Sequence, residues 1–421
     1  MNNDQMQAGM AEATRLIRTG RLAEATALIQ RTLGSVPVSN VSVVDADRAD
    51  APGASALPLR DDSSPTTELS GEGMARSRRT GGDALAARLA AALSTLSPQT
   101  QRFPGSMARI SVPLRPVTPE VIPSSPEAGG QFVDGSYSNP AGTRAYKLYI
   151  PRGYTGQAVP LVVMLHGCTQ RPMDFAAGTR MNELAEGHTF LVAYPEQAPS
   201  ANGSKCWNWF QESDQQRDGG EPSLIAGITR QIMSQYQVDS SRVYVAGMSA
   251  GGAMAVIVAA MYPDLYAAVG VHSGLAYGAA HDLPSAFAAM QQGTVYHAQH
   301  LREIIPLIAF HGDSDTTVAL VNADGLLDQW LQAASAGLGS VPGVKAEQGQ
   351  VAGGHAYTRC IYHDVSGQTL MEQWTVHQAG HAWSGGSPSG SYTDPQGPDA
   401  STEMVRFFTE HPGAGKAHPV G

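Results

Sequence analysis

From about residue 132 onward, apolar positions fall into two alternating patterns. Residues 145–150, Ala-Tyr-Lys-Leu-Tyr-Ile, alternate in polarity and stop at Pro151, which predicts an early strand. Pro160 then opens Leu-Val-Val-Met-Leu at 161–165, an unbroken apolar run suited to a strand buried on both faces. A helical stretch follows over 173–186, a strand over 190–194, a helix over 223–236 and a strand over 243–246. Further strands are predicted at 267–271, 305–310, 357–364 and 370–376, with helices at 252–261, 321–334 and 402–411. Strands alternating with helices predict βαβ units, hence an α/β fold with a mostly parallel central sheet flanked by helices.

The chain before this region reads differently. Met6, Met10 and Ile17 form one apolar stripe, and Leu22, Ala25, Leu28, Ile29 and Leu33 form a second that closes at Gly34. Residues 1–34 are therefore expected to form a helical hairpin appendage. Residues 35–130 are rich in Ser, Pro, Ala, Asp and Arg, with one plausible helix at 83–96, and predict a largely disordered linker. The main folded domain, of α/β type, is expected over 131–413.

Composition narrows the function classes. At 421 residues and 42% hydrophobic content a large core is available. The net charge of −10 and a single short basic run, Arg76-Ser77-Arg78-Arg79, argue against a nucleic-acid partner. Cys168, Cys206 and Cys360 lie far apart, so they form no metal pattern and allow at most one intramolecular disulfide. No run is long enough to predict a membrane span. The N-terminus lacks a basic start followed by an apolar core, which by itself argues for a cytoplasmic product.

The chemistry concentrates at the ends of the predicted strands. Gly247-Met248-Ser249-Ala250-Gly251 joins an apolar strand to an alanine-rich helix, the setting in which a serine is presented as a nucleophile on a sharp turn. A serine hydroxyl needs a neutral imidazole to take its proton, and the imidazole needs an acid to hold its tautomer. The acid is expected after the strand at 305–310, where Asp313 and Asp315 compete. Asp315 is favoured, because Asp313 sits in the tight turn after Gly312 and could bond its own backbone. The base is expected at His381, between Gly380 and Ala382-Trp383-Ser384-Gly385-Gly386. The order serine, acid, histidine is that of an α/β-hydrolase fold. An oxyanion would meet the amide of Ala250 and a second amide from His166-Gly167-Cys168-Thr169-Gln170, at Cys168 or alternatively Thr169.

Four motifs in this order, His-Gly-Cys-Thr-Gln, Gly-Met-Ser-Ala-Gly-Gly-Ala-Met, Asp-Thr-Thr-Val and Gly-His-Ala-Trp-Ser-Gly-Gly, resemble the polyhydroxybutyrate depolymerase esterases, a group that includes feruloyl and acetylxylan esterases. Tyr194-Pro195-Glu196-Gln197 and Cys206-Trp207-Asn208-Trp209-Phe210 add to the match, which covers about 144–411. The resemblance implies Ser249 as nucleophile, Asp315 as acid and His381 as base, with no cofactor. It also implies small or oligomeric ester substrates: short hydroxyacid esters, or acyl groups on plant polysaccharide. Many relatives are secreted, which points to the extracellular space against the missing signal. A Cys168–Cys206 pair bracing the oxyanion loop is compatible with secretion. Lacking a recognisable signal and a polymer-adsorbing domain after the last helix, the chain is expected to favour oligomers or soluble esters over solid polymer. Trp207 and Trp383, with Trp209 and more weakly Tyr194, are candidates for the pocket wall.

Overall fold

The computed structural model describes residues 130–293, 301, 303–338 and 343–413. The expected hairpin at 1–34, and the linker at 35–130 except Gly130, lie outside the described residues. Strands β1 (Gln131–Asn139) and β2 (Gly142–Ile150) form a hairpin, followed by β3 (Val159–Leu165). Helices α1 (Pro172–Thr179) and α2 (Met181–His188) lead to β4 (Leu191–Pro195), then α3 (Gly220–Gln235) to β5 (Val238–Met248). Next come α4 (Ala250–Met261), β6 (Ala268–His272), α5 (Leu283–Gln292), β7 (Leu307–Gly312) and α6 (Val321–Leu338). The chain continues through β8 (Gly343–Gln350), β9 (Ala356–His363), β10 (Thr369–Val376), the two-residue strands β11 (Trp383–Ser384) and β12 (Thr393–Asp394), and α7 (Ala400–Glu410).

Ten of these strands make one sheet in the order β1-β2-β4-β3-β5-β6-β7-β10-β9-β8. The six central strands, β4 to β10, run parallel, and antiparallel strands close both ends. All six parallel strands therefore end on one edge, where an α/β sheet gathers its functional loops.

The period of two along each strand divides the core between the faces. Leu161, Val163 and Leu165 point with Val243, Val245, Val269 and Val271 towards α3, α4 and α6, where Ile228, Met254 and Trp330 are buried. Val162 and Met164 point with Tyr244, Ala246, Ile308 and Phe310 the other way, against Phe175, Met181, Met404 and Phe408. Central strands apolar on both faces are the physical consequence of helices covering both sides. Among the described residues no helix is long and apolar enough to cross a membrane.

Three features depart from the sequence expectations. The stretch over 173–186 is two helices, because Arg180 takes a left-handed conformation (φ 57°) and its N–H closes back on the Ala176 carbonyl. Strands β1 and β8 were not foreseen. Both lie at the outer edges of the sheet and alternate between exposed and half-buried positions, so their polar sequences lack the apolar run of a central strand. Helix α5 was also missed, although Asp282 and Ser285 form a reciprocal capping box at its start.

Candidate active site

Ser249 sits between the last residue of β5 and the first of α4 at φ 56° and ψ −122°. A left-handed φ is costly for a residue with a side chain, and it persists only where the surroundings enforce it. Here the enforcement is close packing by glycines. A Cβ on Gly247 would lie 2.3 Å from the Gly251 carbonyl oxygen, and one on Gly251 would lie 2.1 Å from that of Leu165. Either substitution would drive β5, α4 and β3 apart. The Ser249 N–H is tied to the His272 carbonyl at 2.9 Å.

The structure brings Asp315 and His381 together. Asp315, on the turn after β7, accepts from His381 Nδ1 through Oδ2 at 2.7 Å, and its Oδ1 takes the Thr317 and Val318 amides, each at 2.9 Å. Burial pushes the Asp315 carboxyl up, but the His381 bond and charge, the Val318 amide and His311 outweigh it and hold the group below its ordinary range. His311 donates through Nε2 to the Val318 carbonyl at 2.8 Å, closing the turn that presents the carboxylate. The rival Asp313 is engaged elsewhere, with His377 Nδ1 at 2.9 Å and the Gln378 amide at 2.7 Å.

The loop after β3 lies directly against the serine turn, since a Cβ on Gly167 would be 3.6 Å from that of Ser249. Most of its amides are already engaged. Gly167 N–H donates to Gln170 Oε1 at 2.9 Å, Thr169 N–H to the Ser204 carbonyl at 2.7 Å, and Gln170 N–H to the Gly167 carbonyl at 3.3 Å. Among the described residues, the Cys168 amide has no such acceptor. The thiol of Cys168 is joined to Cys206 in a disulfide, while Cys360 is a buried free thiol.

Buried polar groups fix this loop from behind. His166 donates through Nδ1 to the Gly167 carbonyl at 2.8 Å and accepts the Gln197 amide at Nε2, at 3.1 Å. Burial lowers its pKa to about 4. Glu221 accepts from Arg144 (3.1 Å), Gln197, and the backbone and side chain of Asn208 (2.7 and 2.9 Å). Burial, with the nearby Asp214 charge, raises Glu221 to about 7.

The tryptophans lie deeper than a pocket wall requires. Trp207 is wholly buried and donates through Nε1 to the His166 carbonyl at 3.1 Å. Trp383 is 1% exposed, donates to Ser401 Oγ at 3.1 Å and packs edge-on against Phe175. Trp209 and Tyr194 are buried too, the latter bonded to Asn182. The aromatic that does reach solvent beside this loop is Tyr392, 49% exposed and at φ 54°, with its hydroxyl 3.3 Å from Thr169 Oγ1. The strand β11–β12 pairing and the Ser391 bonds to Asp174 hold it there. Nothing in the local sequence signals that position, because the Thr169 and Asp174 contacts that help to fix it come from more than 200 residues away.

The parallel sheet with its antiparallel ends, the strained serine turn after β5 and the acid after β7 define an α/β-hydrolase fold. Esterase PHB depolymerase is the family matched, over residues 144–346, a stretch that holds Ser249 and Asp315 and stops before His381. A poly(3-hydroxyalkanoate) depolymerase C from Paucimonas lemoignei is 32% identical over 256 residues, covering 58% of this chain and 59% of that protein. A probable acetylxylan esterase A from Aspergillus flavus is 30% identical over 224 residues, covering 49% of this chain and 71% of that protein. The solved acetyl xylan esterase from Aspergillus awamori superposes with a TM-score of 0.54 at 23% identity, over 67% of this chain and all of that one. The chain belongs to the PHB depolymerase esterase family. It spans under two thirds of the length of the first of these relatives.

Proposed function

We propose that this protein is a carboxylic ester hydrolase acting on esters or oligomers of short hydroxyacids, with Ser249, His381 and Asp315 as its triad. The observation that carries the reading is the 2.7 Å bond between Asp315 and His381, on the sheet edge that also bears the strained Ser249 turn. An ionised Asp315 accepting from Nδ1 leaves Nε2 of a neutral His381 as the base. That nitrogen takes the Ser249 proton as Oγ attacks the ester carbonyl. The negative oxygen that develops is met by the amides of Ala250 and Cys168, whose fixed orientation costs no rearrangement during the reaction. His381 then protonates the leaving alcohol, and water activated by the same imidazole releases the acid from Ser249. Trp207 and Trp383 act in this reading as braces of the oxyanion and histidine loops, and Tyr392 is the aromatic available to substrate.

Removal of acetyl or feruloyl groups from polysaccharide is the second reading. It is supported by the acetylxylan esterase A of Aspergillus flavus, which this chain matches over 71% of that protein's length, against 59% for the depolymerase. One panel of hydroxybutyrate oligomers, feruloyl esters and acetylated xylan, assayed with the parent and with Ser249→Ala, tests both. The variant is expected to lose roughly 10⁴-fold or more in kcat while keeping its thermal transition. Near-parental hydrolysis by Ser249→Ala would overturn the triad, and the preferred substrate decides between the two readings.

A further inference from the structure

We propose that His272, at the end of β6, is a positioning residue whose neutral ring sets the three catalytic segments in register. The inference rests on the triad reading above. Its main chain holds the nucleophile, since the His272 carbonyl accepts the Ser249 N–H at 2.9 Å. Its ring holds the histidine loop, since Nε2 accepts the Ser384 N–H at 3.0 Å, three residues beyond His381. One face of the ring stacks on Trp383 (5.2 Å between centroids, 25° between planes). Phe310, in the strand that delivers Asp315, also stacks on it (6.0 Å, 10°). His272 thus joins the nucleophile segment, through its main chain, to the acid and base segments, through its ring.

The geometry also dictates the tautomer. A backbone N–H can only donate, so Nε2 of His272 must be unprotonated and the ring proton must sit on Nδ1, which points at Ser273 Oγ at 3.2 Å. A second proton on Nε2 would set N–H against N–H and break the clasp on the histidine loop. The ring is 1% exposed, so no water can take the place of Ser384 without a rearrangement. The groups acting electrostatically on it are His311, His381 and Asp315, and burial with the two histidines pushes its pKa down to about 3. A neutral His272 therefore adds no positive charge beside His381 at the moment that ring becomes an imidazolium.

The function required is thus a hydrogen-bond acceptor at the place of Nε2, carried on a flat side chain. Gln supplies such an acceptor through Oε1, whereas Phe keeps the flat ring without it and Met keeps the length without either. Displacement of a catalytic group by about 1 Å costs on the order of 100-fold. His272→Phe and His272→Met are therefore expected to lower kcat for a soluble ester by about 10- to 100-fold, with KM within about threefold of the parent. His272→Gln is expected to keep kcat within about threefold. Each variant is assayed below its own thermal transition, so that hydrolysis is read on folded protein, and Met serves if Phe does not fold. Equal losses in Gln and in Phe or Met would overturn the proposal, as would parental kcat in either variant lacking the acceptor. Organophosphonate labelling of Ser249 in the parent keeps the two readings separable. Failure to label sinks the triad, whereas labelling with an unresponsive His272 series sinks only the positioning role.

Discussion

The two buried histidines that clasp loops by accepting an amide make stability depend on pH in a calculable way. His166 is lowered to about 4 and His272 to about 3, both from an ordinary 6.5 and both chiefly by burial. Their folded pKa values lie below the unfolded ones, so the unfolded chain binds protons first as pH falls. Stability that is fully present above pH 6.5 is then lost on acidification, at up to about 1.4 kcal/mol per pH unit per group. At about pH 5 each histidine has cost about 2 kcal/mol relative to about pH 7.5, or about 4 kcal/mol together, and His311, also lowered by burial, adds to the loss. Glu221 works in the opposite sense. Raised from 4.5 to about 7, it binds its proton in the folded chain first, and between the same two pH values it gives back about 2 kcal/mol. Asp214 beside it is raised as well, in the same sense. The depressed carboxylates Asp315 and Glu372 release stability only below their ordinary 3.8 and 4.5, outside this window. The parent should therefore lose about 2 kcal/mol from about pH 7.5 to 5, and Glu221→Gln, though less stable at both values, should lose about 4 kcal/mol. Urea unfolding of the two proteins at both pH values measures the difference. Equal losses would refute the assignment of Glu221, and no loss in Glu221→Gln would refute the neutral, buried state of the histidines.

Two further outcomes follow from the same site. The Cys168–Cys206 disulfide closes a loop over a separation of 38 residues, for which chain entropy gives about 4 kcal/mol. Cys206→Ser should lower the midpoint of thermal unfolding by roughly 8 to 15 °C. It should lower kcat by under about tenfold, because Trp207, Gln197 and the Thr169–Ser204 bond still hold the oxyanion loop. An unchanged midpoint in calorimetry, with the remaining thiols titrating as free, would contradict this. For the competing aspartates, Asp315→Asn should cost about 10⁴-fold in kcat by presenting the wrong partner to His381. Asp313→Asn, which loosens only the His377 contact, should cost under about tenfold, and the reverse order of the two in a steady-state assay would exchange their roles.

What could be read from the chain and what could not separates by the range of the forces involved. The serine turn was legible because its residue pattern is compact even where its constraint is not. Gly247 is demanded by the Gly251 carbonyl inside the same pentapeptide, and Gly251 by the Leu165 carbonyl of β3, yet both demands leave their mark as glycines within five residues. The parallel core was legible for a related reason, since strands apolar on both faces leave runs such as 161–165 that have no other comfortable place. Edge strands β1 and β8 escaped because an edge strand needs one half-buried face only, and its polar alternation resembles a loop. Arg180 escaped because its left-handed conformation carries no residue signature.

The tryptophans show the limit most directly. An indole beside a catalytic loop invites reading as a pocket wall, yet Trp207 and Trp383 are among the largest fully buried side chains. The loop after β3 and the first turn of α7 leave a carbonyl and a hydroxyl facing the interior, at His166 and Ser401. An indole N–H satisfies such a group while its rings fill the space around it. The same holds for His166 and His272, whose neighbouring residues in the sequence do not signal their role. A buried imidazole with one donating and one accepting nitrogen joins a carbonyl or hydroxyl to an amide across a rigid, flat ring. Beside Ser249, that structural use bears on the proposed chemistry, since the loop that His272 clasps at Ser384 is the loop that carries His381.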